Sequence, residues 1–262
     1  MEKTRDYTIS SVKKALEILK LFDGRNTELT LSQLSEISGI GKSSMLRILY
    51  TLCNEDFIAY DAVTKKYSLG IELYRLGSAK YDSLDVRHIA RQHLRILSDK
   101  TNMICYLGVR EGDSLVMVDR ILPTSIPIWA QLMVQNGGTM ALYSTGIGRL
   151  FLAQDSDEQV EAYLNRVELK KYTDATIVDK KTLLELVRQA RADQYSYNIG
   201  ENEPYIHGLC APVYGRSRHM EAGVSLCGMK DVLCGPKHDE YLRMIRRTAL
   251  DISHEIGYSA QD

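Results

Sequence analysis

The chain has 262 residues, 33 Lys+Arg against 34 Asp+Glu, a formal net charge of −1, 44% hydrophobic residues and 26% charged ones. That length holds one large domain or two modest ones, and the composition excludes a disordered chain, which would be poor in apolar residues and highly charged. The balanced sum excludes a polycationic nucleic-acid coat, although a sum does not report where the charges sit. Residues 1–10, MEKTRDYTIS, are too charged for an export signal, and no apolar core follows them. From Ile121 to Gly148 the chain carries no acid, Lys, Arg or His, yet Pro123, Pro127, Gln131, Asn136 and two glycines exclude a lipid-facing helix. That stretch is expected to line a core or a pocket. Five cysteines (Cys53, Cys105, Cys210, Cys227, Cys234), widely spaced and without a CxxC, point to a reducing cytoplasm rather than a disulfide framework.

In chain order, Ser11–Phe22 places Val12, Ala15, Leu16, Leu19 and Phe22 on one helical stripe, with Lys13, Lys14, Glu17 and Lys20 opposite. Thr30-Leu-Ser-Gln33 is a capping-box signature for a second helix, which Gly39 ends after two turns. A third helix runs from Gly41 or Lys42 to about Cys53, with Met45, Ile48, Leu49 and Leu52 on its apolar face. Phe57–Tyr60, a turn at 61–65 and Lys66–Leu69 predict a hairpin. Helix, helix, helix, hairpin is the order of a winged helix-turn-helix, but spacing alone leaves a plain helical subdomain equally open.

Chemistry separates the two. Lys42, Ser43, Ser44 and Arg47 share the start of the third helix with no acid among them. Arg can hold guanine O6 and N7 with two hydrogen bonds, Ser serves bases or phosphates, and a helix N-terminus favours a phosphate oxygen. Lys65 and Lys66 lie where a wing would meet the DNA backbone. With Thr30, Ser32 and Tyr50, these residues form the candidate DNA-contacting set. Residues 1–83 hold 12 Lys+Arg and 11 Asp+Glu, so placement rather than excess must do the recognition.

Beyond residue 70, Ile71–Leu84 predicts a linking helix and Val86–Lys100 another. Apolar runs Met103–Val109 and Leu115–Ile121 predict a hairpin, followed by a strand near Ile126–Leu132. Helical patterns at Asp157–Arg166, Asp179–Asp193 and Lys237–Ile256 flank strands near Tyr195–Gly200, Leu209–Tyr214 and Gly223–Cys227. The whole reads as α+β with a mostly antiparallel sheet. Thr145-Gly-Ile-Gly opens a further helix, so the Gly146 and Ile147 amides can face an anion. No spacing among His207, Cys210, Cys227 and Cys234 matches a structural zinc site, and His207 and Cys210 fall on opposite faces of a strand. No metal or cofactor is expected.

SVKKALEILKLF, LTLSQLSEISGIGKSSMLRILYTLCNEDFI and YSLGIELYRLG resemble, in order and spacing, the N-terminal part of the IclR family of bacterial transcription regulators. Gly41 stands where that family often has Pro, and Asp56 where it often has Gly. GTMALYSTGIGRLFLA, QYSYNIGENEPYIHGLCAPV and VSLCG resemble its effector-binding domain, with Tyr143 for the usual His and Arg149 for the usual Lys. The resemblance implies a winged helix-turn-helix domain (1–70), a linker helix (71–84) and a GAF-like effector-binding domain (85–262). It implies effector contacts at Gly146, Ile147, Asn198, Gly208, Ser225 and Cys227, of which Ser225 alone keeps the family's common residue. Asn198 for Asp, Gly208 for Cys and Cys227 for Ser argue for a carboxylate larger than a tiny oxo-acid, held partly by Tyr106 or Tyr143. Trp129 and Met133, from the uncharged stretch, are candidates for the lining, though each singly could be plain core.

The function implied is a cytoplasmic, ligand-responsive repressor without enzyme activity. It would bind double-stranded DNA at a palindromic operator as a homodimer, with tetramers open, take a small carboxylate effector and have no membrane partner. The alternative from another class is a thiol-dependent sensor or enzyme built on the C-terminal domain.

Overall fold

Thr30 starts the second helix as its signature requires. In the computed structural model, which describes residues 7–23, 26–82, 85–125 and 136–259, its hydroxyl accepts the Gln33 N–H (3.4 Å) while Gln33 Oε1 accepts the Thr30 N–H (2.9 Å). This reciprocal cap satisfies two amides that a helix start leaves open. The chain divides into two compact units, Met1–Ser83 and Leu84–Asp262.

In the first unit, α1 (Ser10–Leu19), α2 (Leu31–Ser38) and α3 (Lys42–Asn54) surround a core of Ile18, Phe22, Leu34, Met45, Leu49 and Ile58. Gly39 ends α2 in the left-handed region (φ +70°), a turn that costs a glycine little. Ile18 is the buried residue of α1, flanked by half-buried Ala15 and Leu19 and followed past the helix end by buried Phe22, whereas Val12 and Leu16 are 53% exposed. The apolar face is thus rotated from the expected one, with Ile18 rather than Leu16 in the core. The hairpin forms from β2 (Ile58–Asp61) and β3 (Lys66–Leu69), and a two-residue β1 (Leu29–Thr30) joins it in the order β1-β3-β2. β1 is too short to show in any periodicity. After it, α4 spans Ile71–Asp82.

The second unit is a six-stranded antiparallel sheet in the order β6-β5-β4-β9-β8-β7. Its strands are β4 (Ile104–Glu111), β5 (Ser114–Ile121), β6 (Thr139–Ala141), β7 (Ser196–Ile199), β8 (Ile206–Tyr214) and β9 (Met220–Met229). Helices α5 (Asp85–Thr101) and α10 (His238–Glu255) cover one face; α6 (Gly146–Leu152), α7 (Asp157–Arg166) and α8 (Lys180–Asp193) pack on the other. Alternation along β4 divides the faces: Ile104 and Tyr106 join the α6 side, Cys105 and Leu107 the α5 side. A short α9 (Lys230–Leu233) and β6 carry too few residues for a pattern and were not expected from the sequence. The strand expected at Ile126–Leu132 lies outside the described residues. Among the described residues, no helix is long and apolar enough to cross a membrane.

Replacing Thr30 by Ala should lower the stability of the first unit by about 1 kcal/mol, read as a shift in its urea midpoint. An unchanged midpoint would show that the cap contributes nothing.

Candidate functional site

Two surfaces concentrate chemistry, one in each unit. On the first, Gly41 leaves the N-terminus of α3 without a side-chain cap, so the first-turn amides stay open. Lys42, Ser43, Ser44 and Arg47 are all exposed there, and among the described residues no ion pair engages Lys42 or Arg47. Tyr50 is 69% exposed one turn further on, and Ser32 is exposed in the first turn of α2.

Two expected contacts look different in three dimensions. The Thr30 hydroxyl is committed to the α2 cap, where it also donates to Gln33 Oε1 (3.0 Å). Lys66 is not at the hairpin tip. It opens β3 opposite Asp61, and its Nζ lies 3.2 Å from Glu28 Oε2. Only Lys65 occupies the tip turn, exposed and at φ +58°.

The second surface is a small cavity of about 80 Å³ between the inner sheet face and the start of α6. Its floor comes from strand register. Tyr106 of β4 pairs with Ser225 of β9, which pairs with Cys210 of β8. In the adjacent row Ile104 pairs with Cys227, Cys227 with Gly208, and Gly208 with Asn198. Two antiparallel rows thereby bring residues from four strands onto one wall. Gly208 is what keeps the wall open: a Cβ there would stand 2.9 Å from Ser225 Oγ and 3.2 Å from Cys227 Sγ. Thr145 caps α6, its hydroxyl accepting the Gly148 N–H (3.0 Å).

Of the residues expected around an effector, Tyr106, Gly146, Ile147, Asn198, Gly208, Ser225 and Cys227 line this cavity. Tyr143 does not. Its hydroxyl accepts from the Lys170 N–H (2.6 Å) and donates to the Lys170 carbonyl (2.9 Å), so it fastens a loop inside the core. Trp129 and Met133 lie outside the described residues. Met117, Met140, Asn202, Ile206, His207 and Cys210 also line the cavity and were not anticipated. Strand alternation could have found Cys210 and Ile206, each two residues from Gly208 on the same face. The loop residues carry no such signal.

Asn198 works on the wall rather than in the lumen. Its Nδ2 donates to the Ser144 carbonyl (2.6 Å), as does Asn202 Nδ2 (2.6 Å), and its Oδ1 accepts the Glu201 N–H (3.3 Å). Behind it Arg149, 2% exposed, forms a two-pronged pair with Glu201 (2.8 and 2.9 Å) and also donates to the carbonyls of Tyr143 and Tyr197. The usual Lys could not make this fork.

The lining contains no Lys or Arg. His207 is held toward its neutral form, first by burial and then by the nearby Lys230 charge. Burial pushes the Cys210 thiol up to about 12 and the Cys227 thiol up to about 11. Both thiols lie within reach of one hydroxyl, Ser225 Oγ, at 3.3 and 3.2 Å. These are protonated packing groups, unsuited to nucleophilic work at neutral pH. Among the described residues no cluster of three His, Cys, Asp or Glu could hold a metal.

These geometries stand beside clear similarities. The family model for the bacterial transcriptional regulator IclR C-terminal domain matches residues 78–254, and that for the IclR helix-turn-helix domain matches 11–62. The chain is 27% identical over 252 residues to the HTH-type transcriptional regulator XynR of Escherichia coli, covering 96% of this chain and 99% of that protein. It is 29% identical to KdgR of the same organism, over 96% of this chain and 94% of the relative. A solved IclR transcriptional regulator from Alicyclobacillus acidocaldarius is 28% identical, with a TM-score of 0.83 across 96% of this chain and 100% of that one.

Iodoacetamide labelling of the native protein should reach exposed Cys234 first. The Cys227 rate should climb about tenfold per pH unit up to about pH 10, because about one thiol in ten thousand is ionised at pH 7. A plateau below about pH 9 would contradict the burial effect.

Proposed function

The chain belongs to the IclR family of bacterial transcriptional regulators, and on that premise we propose that it is a cytoplasmic repressor released or engaged by a small organic acid. The observation that carries the DNA half is the exposed, acid-free start of α3, with Lys42, Ser43, Ser44 and Arg47 beside open helix amides. Such a face suits the major groove, Arg47 reading a base edge while Lys42, the serines and Ser32 meet phosphates. Lys65 at the hairpin tip is the wing's backbone contact; Lys66, paired with Glu28, contributes less. Two copies of the chain, acting as a dimer, would address the two halves of a palindromic site, and pairs of dimers would extend it.

The cavity of the second unit is the effector site in this reading. An effector there alters operator affinity only by favouring one arrangement of the protein over another, and α4, between the reading helix and the sensing sheet in the chain, is the element to carry that preference. The residues most directly in touch with ligand are Tyr106, Ser225, Cys227 and the Gly146–Ile147 backbone, while Asn198 holds the wall. A thiol-dependent activity would need an ionised Cys210 or Cys227, and their burial works against it.

In fluorescence anisotropy with an operator selected from random duplexes, Arg47→Ala should weaken binding by about 1–3 kcal/mol and relax preference at one base pair. Lys65→Ala should weaken all sequences alike and reduce the salt slope by about 1. Parent-like affinity of the Arg47 variant across a salt titration would overturn the docking.

A further inference from the structure

Strand β7 pairs with β8 only from His207 to Cys210, yet β8 runs on to Tyr214. Beyond the end of β7, the open stretch of β8 and the side of α10 border a groove of about 400 Å³. That volume is in the range of small-molecule sites. An open sheet edge invites another strand. Here, however, Pro212 has no N–H, and the Tyr214 N–H is donated to Ser253 Oγ (3.0 Å). The groove therefore favours a small molecule over a paired peptide.

Its charge is one-sided. Arg243, Arg246 and Arg247 line it from the i, i+3 and i+4 positions of one helix face, and among the described residues no acid lines it. Asp251, outside the groove, answers Arg247 at 2.9 Å. Among the described residues no ion pair engages Arg243 or Arg246. The Arg246 guanidinium lies 5.9 Å from the centre of the Tyr195 ring, which positions it without cancelling its charge. Like charges at this spacing repel one another, a cost that an arriving anion reverses.

Further along α10 the groove turns apolar and then aromatic. Ala249 and Leu250 follow the arginines, with Ala211 and Pro212 of β8 beside them. At the end stand Tyr214 and Tyr258, their ring centres 5.6 Å apart. Both are held in place: the Tyr214 hydroxyl donates to Gln194 Oε1, and the Tyr258 N–H to the Ser253 carbonyl (2.9 Å).

We propose that this groove binds a phosphomonoester carrying a flat ring, with a nucleoside monophosphate as the simplest case. A phosphomonoester brings about −1.5 to −2 charge and three acceptor oxygens, which suits two unpaired guanidiniums. The ring lies on the tyrosine end. Inorganic phosphate would leave that end bare, and a nucleoside would leave the arginines unanswered. The site is separate from the α6 cavity, since α10 and α6 cover opposite faces of the sheet, and it stands whether or not that cavity takes an effector.

Calorimetric titration of the full chain with AMP, adenosine and inorganic phosphate tests it. AMP should bind with a Kd below about 1 mM, and about tenfold or more tightly than either fragment. Arg243→Gln and Arg246→Gln should each weaken AMP by about tenfold. Both residues are exposed, so an unchanged melting temperature shows that the variants fold. Lys181→Gln removes the same charge from exposed α8 surface across the sheet and should leave AMP affinity within about twofold. Tyr258→Leu should weaken AMP by about fivefold or more, and Tyr258→Phe should restore it.

No AMP binding up to about 5 mM overturns the assignment. So does equal affinity for AMP and adenosine, or for AMP and phosphate. Parent-like affinity in both arginine variants, or an equal loss in Lys181→Gln, reduces the groove to general surface charge and overturns it as well.

Discussion

The cavity of the second unit depends on a buried ion pair that never enters it. Arg149 on α6 and Glu201 in the β7–β8 connection are each 3% exposed at the side chain, and they meet at 2.8 Å. Around them converge the carbonyls of Tyr143 and Tyr197, and beside them Asn198 and Asn202 both donate to the Ser144 carbonyl. Three segments are thereby tied at one point: the entry to α6, the end of β7 and the loop that returns to β8. The cavity is the space those segments leave against the sheet. Two charges taken from water are worth keeping only if every donor and acceptor is met, and here the guanidinium is met by a carboxylate and two carbonyls.

That arrangement explains why the second unit reads so differently from the first. In the first unit the candidate DNA-contacting residues are exposed, most of them at the start of α3, and their chemistry depends on exposure and on the absence of nearby acids. In the second the cavity residues point inward from separate strands and loops, and their chemistry depends on register. A balanced total charge suits this division. The start of α3 carries a few cations in place rather than a basic coat, and the cavity lining contains no Lys or Arg.

How far the chain could be read beforehand follows the same line. Helices such as Asp157–Arg166 and the Thr30–Gln33 cap were legible because periodicity and capping are local. The winged unit was legible through the order of its elements together with the acid-free start of its third helix. β1, β6 and α9 were not, since two to four residues carry no period. Tyr143 was misplaced because a tyrosine's polar tip serves a buried carbonyl as readily as a ligand, and only the Lys170 backbone decides between them. Glu201 carries no signal in the sequence that would mark it as buried and paired. Its partner lies 52 residues away, and such a pairing belongs to the tertiary fold.

The claim that this pair organises the cavity is tested most directly by a double-mutant cycle on unfolding free energy, using Arg149→Met, Glu201→Met and the two together. Each single change strands a buried charge and should cost about 3–5 kcal/mol, while the double variant should recover most of that loss, giving strong coupling. Single losses that are small, or that simply add in the double variant, would contradict the account and place the origin of the cavity elsewhere in the fold.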